Sequence, residues 1–155
     1  MFRKLLLAAC AVILLFSAAC SSLPEGSKKP TLTINQVVMS SEKKDDGFNV
    51  TYTLHHNSQQ SLSVDELHIE IYVNGRKVAE YAESPDLKIE PNRDVVQSQF
   101  VKANLQGGIA SWSMRSSPML KVMATCKVTV IFDSSEKNRN FNPQATYVGV
   151  ISHAE

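Results

Sequence analysis

The chain has 155 residues, 43% hydrophobic and 20% charged, and its 16 basic and 15 acidic side chains leave a formal net charge of +1. That length suits one domain with a modest core and excludes a multidomain enzyme. The near-neutral balance lacks the basic face or arm of a nucleic-acid binder, and three cysteines cannot close into a full set of disulfides.

Arg3 and Lys4 precede an unbroken apolar run from Leu5 to Phe16, and Ser17, Ala18 and Ala19 lead into Cys20. A short positive stretch, an apolar segment and small residues before a cut site are the parts of a secretory signal. With Cys20 directly after them, residues 1–19 resemble a bacterial lipoprotein signal, cut between Ala19 and Cys20. The resemblance implies a diacylglyceryl group on the Cys20 thiol and a fatty acid, such as palmitate, on the new amino terminus. Leu7-Ala8-Ala9-Cys10 also fits the cleavage pattern, but a cut there leaves about three apolar residues where about 7 to 15 are needed. An uncleaved anchor helix is the other reading, and Leu5 to Ala19, at 15 residues, falls short of a span, which takes roughly 20.

The same resemblance to a lipoprotein signal implies that sorting reads the residue after the cysteine, and Ser21 there implies the outer membrane of a Gram-negative cell, with the domain expected to face the periplasm. Two or three acyl chains anchor stably at about 0.8 kcal/mol per buried CH₂. The membrane is thus the first expected partner, through lipid on Cys20. Cutting before Cys20 leaves 136 residues with 14 basic and 15 acidic groups. Cys126 then has no free thiol to pair with in the mature chain, although the compartment permits disulfides.

Residues 20–30 read as a lipidated tether, since Ser21 to Pro30 is rich in small, polar and turn-forming residues. From residue 31 to 152 the hydrophobic period becomes two. Leu32 to Met39 opens the series, and Phe48, Val50, Tyr52 and Leu54 alternate with polar residues as in a strand with one buried face. Leu62 to Val64 is out of phase with Leu67, Ile69, Ile71 and Val73, which suggests a bulge or bend at Asp65-Glu66. Asn74-Gly75 favours the positive φ angles of a type I′ turn and folds Arg76 to Glu83 back antiparallel.

Glu90-Pro91-Asn92-Arg93 marks a second turn, between strands at Leu87 to Ile89 and Val95 to Val101. Leu105, Ile109 and Trp112 fall at i, i+4 and i+7, predicting one short helix near residues 105–115 that caps an end of the sheets. The longest alternation runs from Leu120 to Phe132. Asp133 to Asn140 reads as a polar loop, and a last strand centres on Tyr147 to Ile151. Seven or eight short strands in one domain argue for an all-β, immunoglobulin- or fibronectin-III-like antiparallel sandwich.

The order of signals from Pro30 resembles the late-embryogenesis-abundant type 2 family, the water-stress and hypersensitive-response domain. The residues that carry it are Leu32-Thr33-Ile34, Phe48-Asn49-Val50, Asn57, Leu62-Ser63-Val64, the run Leu67 to Gly75, Ile89-Glu90-Pro91 and Val128-Thr129-Val130. Two departures stand out: Ser58 replaces the proline usual after the asparagine, and Glu80-Tyr81 occupy the place of a common glycine. The resemblance implies a sandwich with one helix, no catalytic site, and a link with stress or desiccation.

Few residues propose chemistry. His55-His56 is the tempting pair, but neighbours in a strand point to opposite faces and cannot chelate together. His68, His153 and the carboxylates would complete a metal site only by the accident of folding, so no metal and no cofactor are expected. Cys126 lies on the apolar phase and reads as a packed small hydrophobe. Asp45-Asp46 and Asp65-Glu66 read as solvated turns, and Ser111 to Ser117 lacks a Gly-x-Ser-x-Gly elbow. Lys28-Lys29 and Lys43-Lys44 are too few to act as a lipid-binding patch. Trp112, Met114 and Met119 read as a core cap, with an exposed binding edge as the other reading.

The expectation is a non-enzymatic envelope lipoprotein that binds a protein through a strand edge or end loops. A small apolar-ligand carrier with its ligand between the sheets is the alternative. Cys20→Ala should abolish acylation, read as loss of the lipid mass in intact-protein mass spectrometry; a fully lipidated variant would refute the assigned site.

Overall fold

Side chains two residues apart share a face of a strand, and this period assigns nearly every residue to core or solvent. The computed structural model describes residues 27–42, 45–105, 119–132, 137–150 and 152–153. Ten strands lie among them: β1 (Thr31–Glu42), β2 (Asp45–His55), β3 (Ser61–Val73), β4 (Arg76–Glu83), β5 (Leu87–Ile89), β6 (Val95–Lys102), β7 (Met119–Ile131), β8 (Arg139–Phe141), β9 (Gln144–Val150) and β10 (Ser152–His153). They form a four-stranded sheet in the order β10-β1-β2-β6. A six-stranded sheet has the order β4-β3-β7-β8, with β5 also on β3 and β9 also on β7.

The all-β sandwich is therefore as expected, with ten strands among the described residues where the sequence suggested seven or eight. Arg139 and Asn140, read as part of a loop, form with Phe141 a strand that pairs with Val128–Val130. Ser152–His153 pairs with Val38–Met39 in a parallel ladder; the other strand pairs among the described residues are antiparallel. The helix near 105–115 lies outside the described residues apart from Leu105, which is buried and not helical.

The inward residues of both sheets form one core. Phe48, Val50 and Leu54 of β2 face Leu62, Ile69 and Ile71 of β3 and Val122, Cys126 and Val130 of β7, all within 2% of complete burial. Each large apolar side chain so buried contributes about 1.5–3 kcal/mol. The irregularity between Val64 and Glu66 keeps Leu62, Val64, Leu67 and Ile69 on one face despite the change of phase. Asn74 and Gly75 have φ of +49° and +80°, as the type I′ hairpin between β3 and β4 requires.

Pro91-Asn92 carries the chain from β5 in one sheet to β6 in the other. Asn92, at φ +52°, adopts the left-handed conformation that asparagine tolerates, and its N–H donates to Ser58 O at 2.9 Å. At one side of the sandwich Asn104 N donates to Val78 O at 3.1 Å, and Ala103 bridges Ala79. At the other, the chain passes from β9 to β10 and so from one sheet to the other.

Gly47 tests how tightly this packs. A Cβ there would lie 2.3 Å from Val101 O and 2.7 Å from Phe100 Cζ. A backbone carbonyl cannot swing aside as a side chain can, so Gly47→Ala is expected to destabilise by about 1–3 kcal/mol. The urea midpoint should fall with an unchanged slope; an unaltered midpoint would show that β6 yields freely.

Candidate functional site

Alternation on β7 turns Met119, Lys121, Met123 and Thr125 outward, while β9 turns Gln144, Thr146, Val148 and Val150 outward. Register then lays Met119 beside Val150, Lys121 beside Val148 and Met123 beside Thr146. The result is a contiguous apolar stripe. Met119, Val148 and Val150 are 62%, 61% and 60% exposed and Met123 36%, making four of the six exposed large apolar side chains among the described residues. Tyr72, opposite Lys121 on β3, borders it. Tyr72, Gly75, Met119, Lys121 and Met123 line a shallow depression of about 410 Å³.

The other half of the same face is charged. Glu70 stands directly opposite Glu80, with His68 two residues along β3. His68 Nε2 lies 2.9 Å from Glu80 Oε1, and Lys77 Nζ lies 2.8 Å from Glu80 Oε2 and 3.3 Å from Glu70 Oε1. The hydrogen bond from Lys77, then that from His68, holds the Glu80 carboxyl below its ordinary range; the same bond to Glu80, then that to Glu70, raises the Lys77 ammonium. The Tyr72 phenol is raised by desolvation first and by the Glu70 charge second.

A second cluster lies at the end where the chain enters β1. His55 Nδ1 is 2.8 Å from Asp94 Oδ2, and its Nε2 is 3.2 Å from Thr33 Oγ1. The His55 hydrogen bond is the main cause that lowers the Asp94 carboxyl. Lys28, Lys29, Thr31, His55, Asn57 and Asp94 line a hollow of about 230 Å³ there. The hydroxyl–imidazole–carboxylate chain has the composition of a nucleophile triad. Thr33 stands mid-strand on an open surface, however, and not on the strained turn that exposes such a nucleophile.

The structure separates the sequence candidates clearly. His55 and His56 diverge: the buried His56 ring places Nε2 2.5 Å from Gln60 O, and its Nδ1 has no partner among the described residues. Asp65 accepts from Thr129 Oγ1 at 2.6 Å, and Glu66 pairs with Lys127. Asp45 pairs with Lys102 at 2.7 Å, and Asp46 accepts from Ser41 Oγ at 2.8 Å. Met119 is exposed and does not cap the core, because Leu120 takes the inward phase. Ala19, Cys20, Lys43, Lys44, Trp112, Met114 and Ser111 to Ser117 lie outside the described residues. Met123, Val148 and Val150 are sites the sequence analysis missed; the available signal was apolar residues in both phases of β7 and β9.

No protein-family model matches the chain, and no curated protein matches it in sequence. A solution structure of a candidate late embryogenesis abundant (LEA) protein matches with a TM-score of 0.54 at 12% identity, over 97% of this chain and 89% of that one. The fold is LEA-like. A protein from Arabidopsis thaliana matches with a TM-score of 0.49 at 12% identity, over 84% of this chain and 82% of its own.

Cys126 is fully buried between Ala124 and Val128, and burial pushes its thiol up to about 11. The thiolate is the reactive form. At pH 7.5 the folded protein should react with a maleimide at Cys126 at least about a hundredfold more slowly than the urea-unfolded chain. Comparable rates in the two states would place Cys126 at the surface.

Proposed function

We propose that this protein is an outer-membrane-anchored lipoprotein, lipidated at Cys20, whose LEA-like sandwich holds an envelope protein in a non-enzymatic binding or protective role. The resemblance to the late-embryogenesis-abundant type 2 family adds stress or desiccation tolerance as the setting. One observation carries the binding reading: the Met119–Met123–Val148–Val150 stripe lies exposed on a sheet whose other face is already filled by the core. Exposed apolar groups in a contiguous patch mark contact surfaces, and methionine adapts its shape to a partner.

The position of the stripe favours a protein over the anchoring bilayer. Lys28 N donates to Asn57 O at 2.8 Å, so the tether joins the domain at the end where β3 begins. Tyr72 and Met119 lie eleven or more positions up that sheet, about 35 Å away at 3.3 Å per residue. That separation supports a stripe turned toward the compartment. Lys121 supplies one cation within it, and no carboxylate among the described residues pairs with that ammonium. The partner then offers apolar side chains together with an acidic group. A carrier with its ligand between the sheets has less support, because the inward side chains of both sheets pack on one another.

A photo-crosslinking residue at Val148 tests this in intact cells. The expected result is a single identified envelope protein, lost when Met119→Lys and Met123→Lys are added, and not captured from the outward Val96 of β6. A lipid adduct, a dimer of this chain, or capture indifferent to the lysine substitutions would overturn the reading.

A further inference from the structure

The charged half of the outer face has the make-up of a cation site. A ring nitrogen of His68 and carboxylate oxygens of Glu70 and Glu80 all lie within 4.8 Å of one another. Two strands supply them: β3 carries His68 and Glu70 on one face, and β4 sets Glu80 straight across from Glu70. Like charges directly opposite in a ladder repel. The pair persists because a cation, Lys77 Nζ, lies between the two carboxylates.

How Lys77 arrives there is instructive. Lys77 and Glu80 are three residues apart, a spacing that sends side chains to opposite faces of a regular strand. The ladder slips between Ile71 and Tyr72: Ile71 faces Ala79, but Tyr72 faces Lys77, leaving Val78 as the extra residue. This bulge turns Lys77 onto the face of Glu80, and bulges that re-aim a side chain recur beside functional sites. The ammonium ends a flexible stem on an exposed strand, so it can leave without disturbing the core.

We propose that His68, Glu70 and Glu80 bind a divalent metal ion of zinc type, which displaces the Lys77 ammonium. One imidazole nitrogen and two carboxylate oxygens suit zinc with three protein ligands and a fourth position for water. The borderline-soft imidazole disfavours magnesium, which takes oxygen ligands in near-octahedral array. With Lys77 withdrawn, the two carboxylates carry a charge of −2 that the ion neutralises. Lys77 acts as a resident competitor and sets the affinity low enough for reversible exchange.

Calorimetric titration of the untagged full-length protein in detergent with zinc chloride tests this. One equivalent should bind, with affinity reduced by about tenfold or more in His68→Ala and in Glu80→Gln, and unchanged in His55→Ala. Lys77→Met should bind more tightly than wild type, an outcome a purely structural ion-pair network does not give. Absence of zinc binding in both wild type and Lys77→Met, heats unaltered by His68→Ala, or magnesium binding as well as zinc would overturn the proposal.

Discussion

Strands β3 and β7 are thirteen residues each and pair from Ser61–Ile131 to Val73–Leu120, so one register sets the inner and outer surfaces of the larger sheet together. Every inward side chain of β7, from Leu120 to Val130, is essentially inaccessible. The alternating outward side chains are then forced into view, including Met119 and Met123. A slip of one residue would exchange the two sets and expose the core. Core stability thus fixes the geometry of the face that carries both candidate sites.

Bulges decide how strictly this coupling holds. The one after Val64 preserves the core, because it restores Leu67 to the phase of Leu62 and Val64. The one at Val78 serves the surface, because it gathers Lys77 with Glu70 and Glu80. The first was legible in the sequence, where strong hydrophobic residues change phase around Asp65-Glu66. The second was not: Arg76 to Glu83 alternates too weakly, with Val78, Ala79 and Ala82 as its only aliphatic members, for a missing step to be seen.

Most strands and the Asn74-Gly75 turn were readable for similar reasons: period two is unmistakable where large aliphatic residues face polar ones. It fails where both phases are apolar, as at Met119-Leu120 and at Tyr147-Val148, since the pattern then names two faces without saying which is inside. It fails also for Arg139–Phe141, whose strand character comes from pairing with β7 and not from its own residues. Likewise no local signal could bring His68 to Glu80, because the two meet only through the ladder.

The two sheets differ in what their outer faces can do. On the smaller sheet, outward polar groups satisfy one another: Asn35 Nδ2 donates to Thr53 Oγ1 at 2.7 Å, Asn49 Nδ2 to Ser40 Oγ at 2.8 Å, and Thr51 Oγ1 meets Ser98 Oγ at 3.3 Å. Side chains so engaged offer a partner little without breaking bonds already made. On the larger sheet the valines and methionines of β7 and β9 keep water-exposed apolar area whose burial remains available. The exposed apolar stripe and the His68–Glu70–Glu80 cluster therefore lie on the outer face of one sheet, the stripe on β7 and β9 with Tyr72 of β3 at its border, the cluster on β3 and β4.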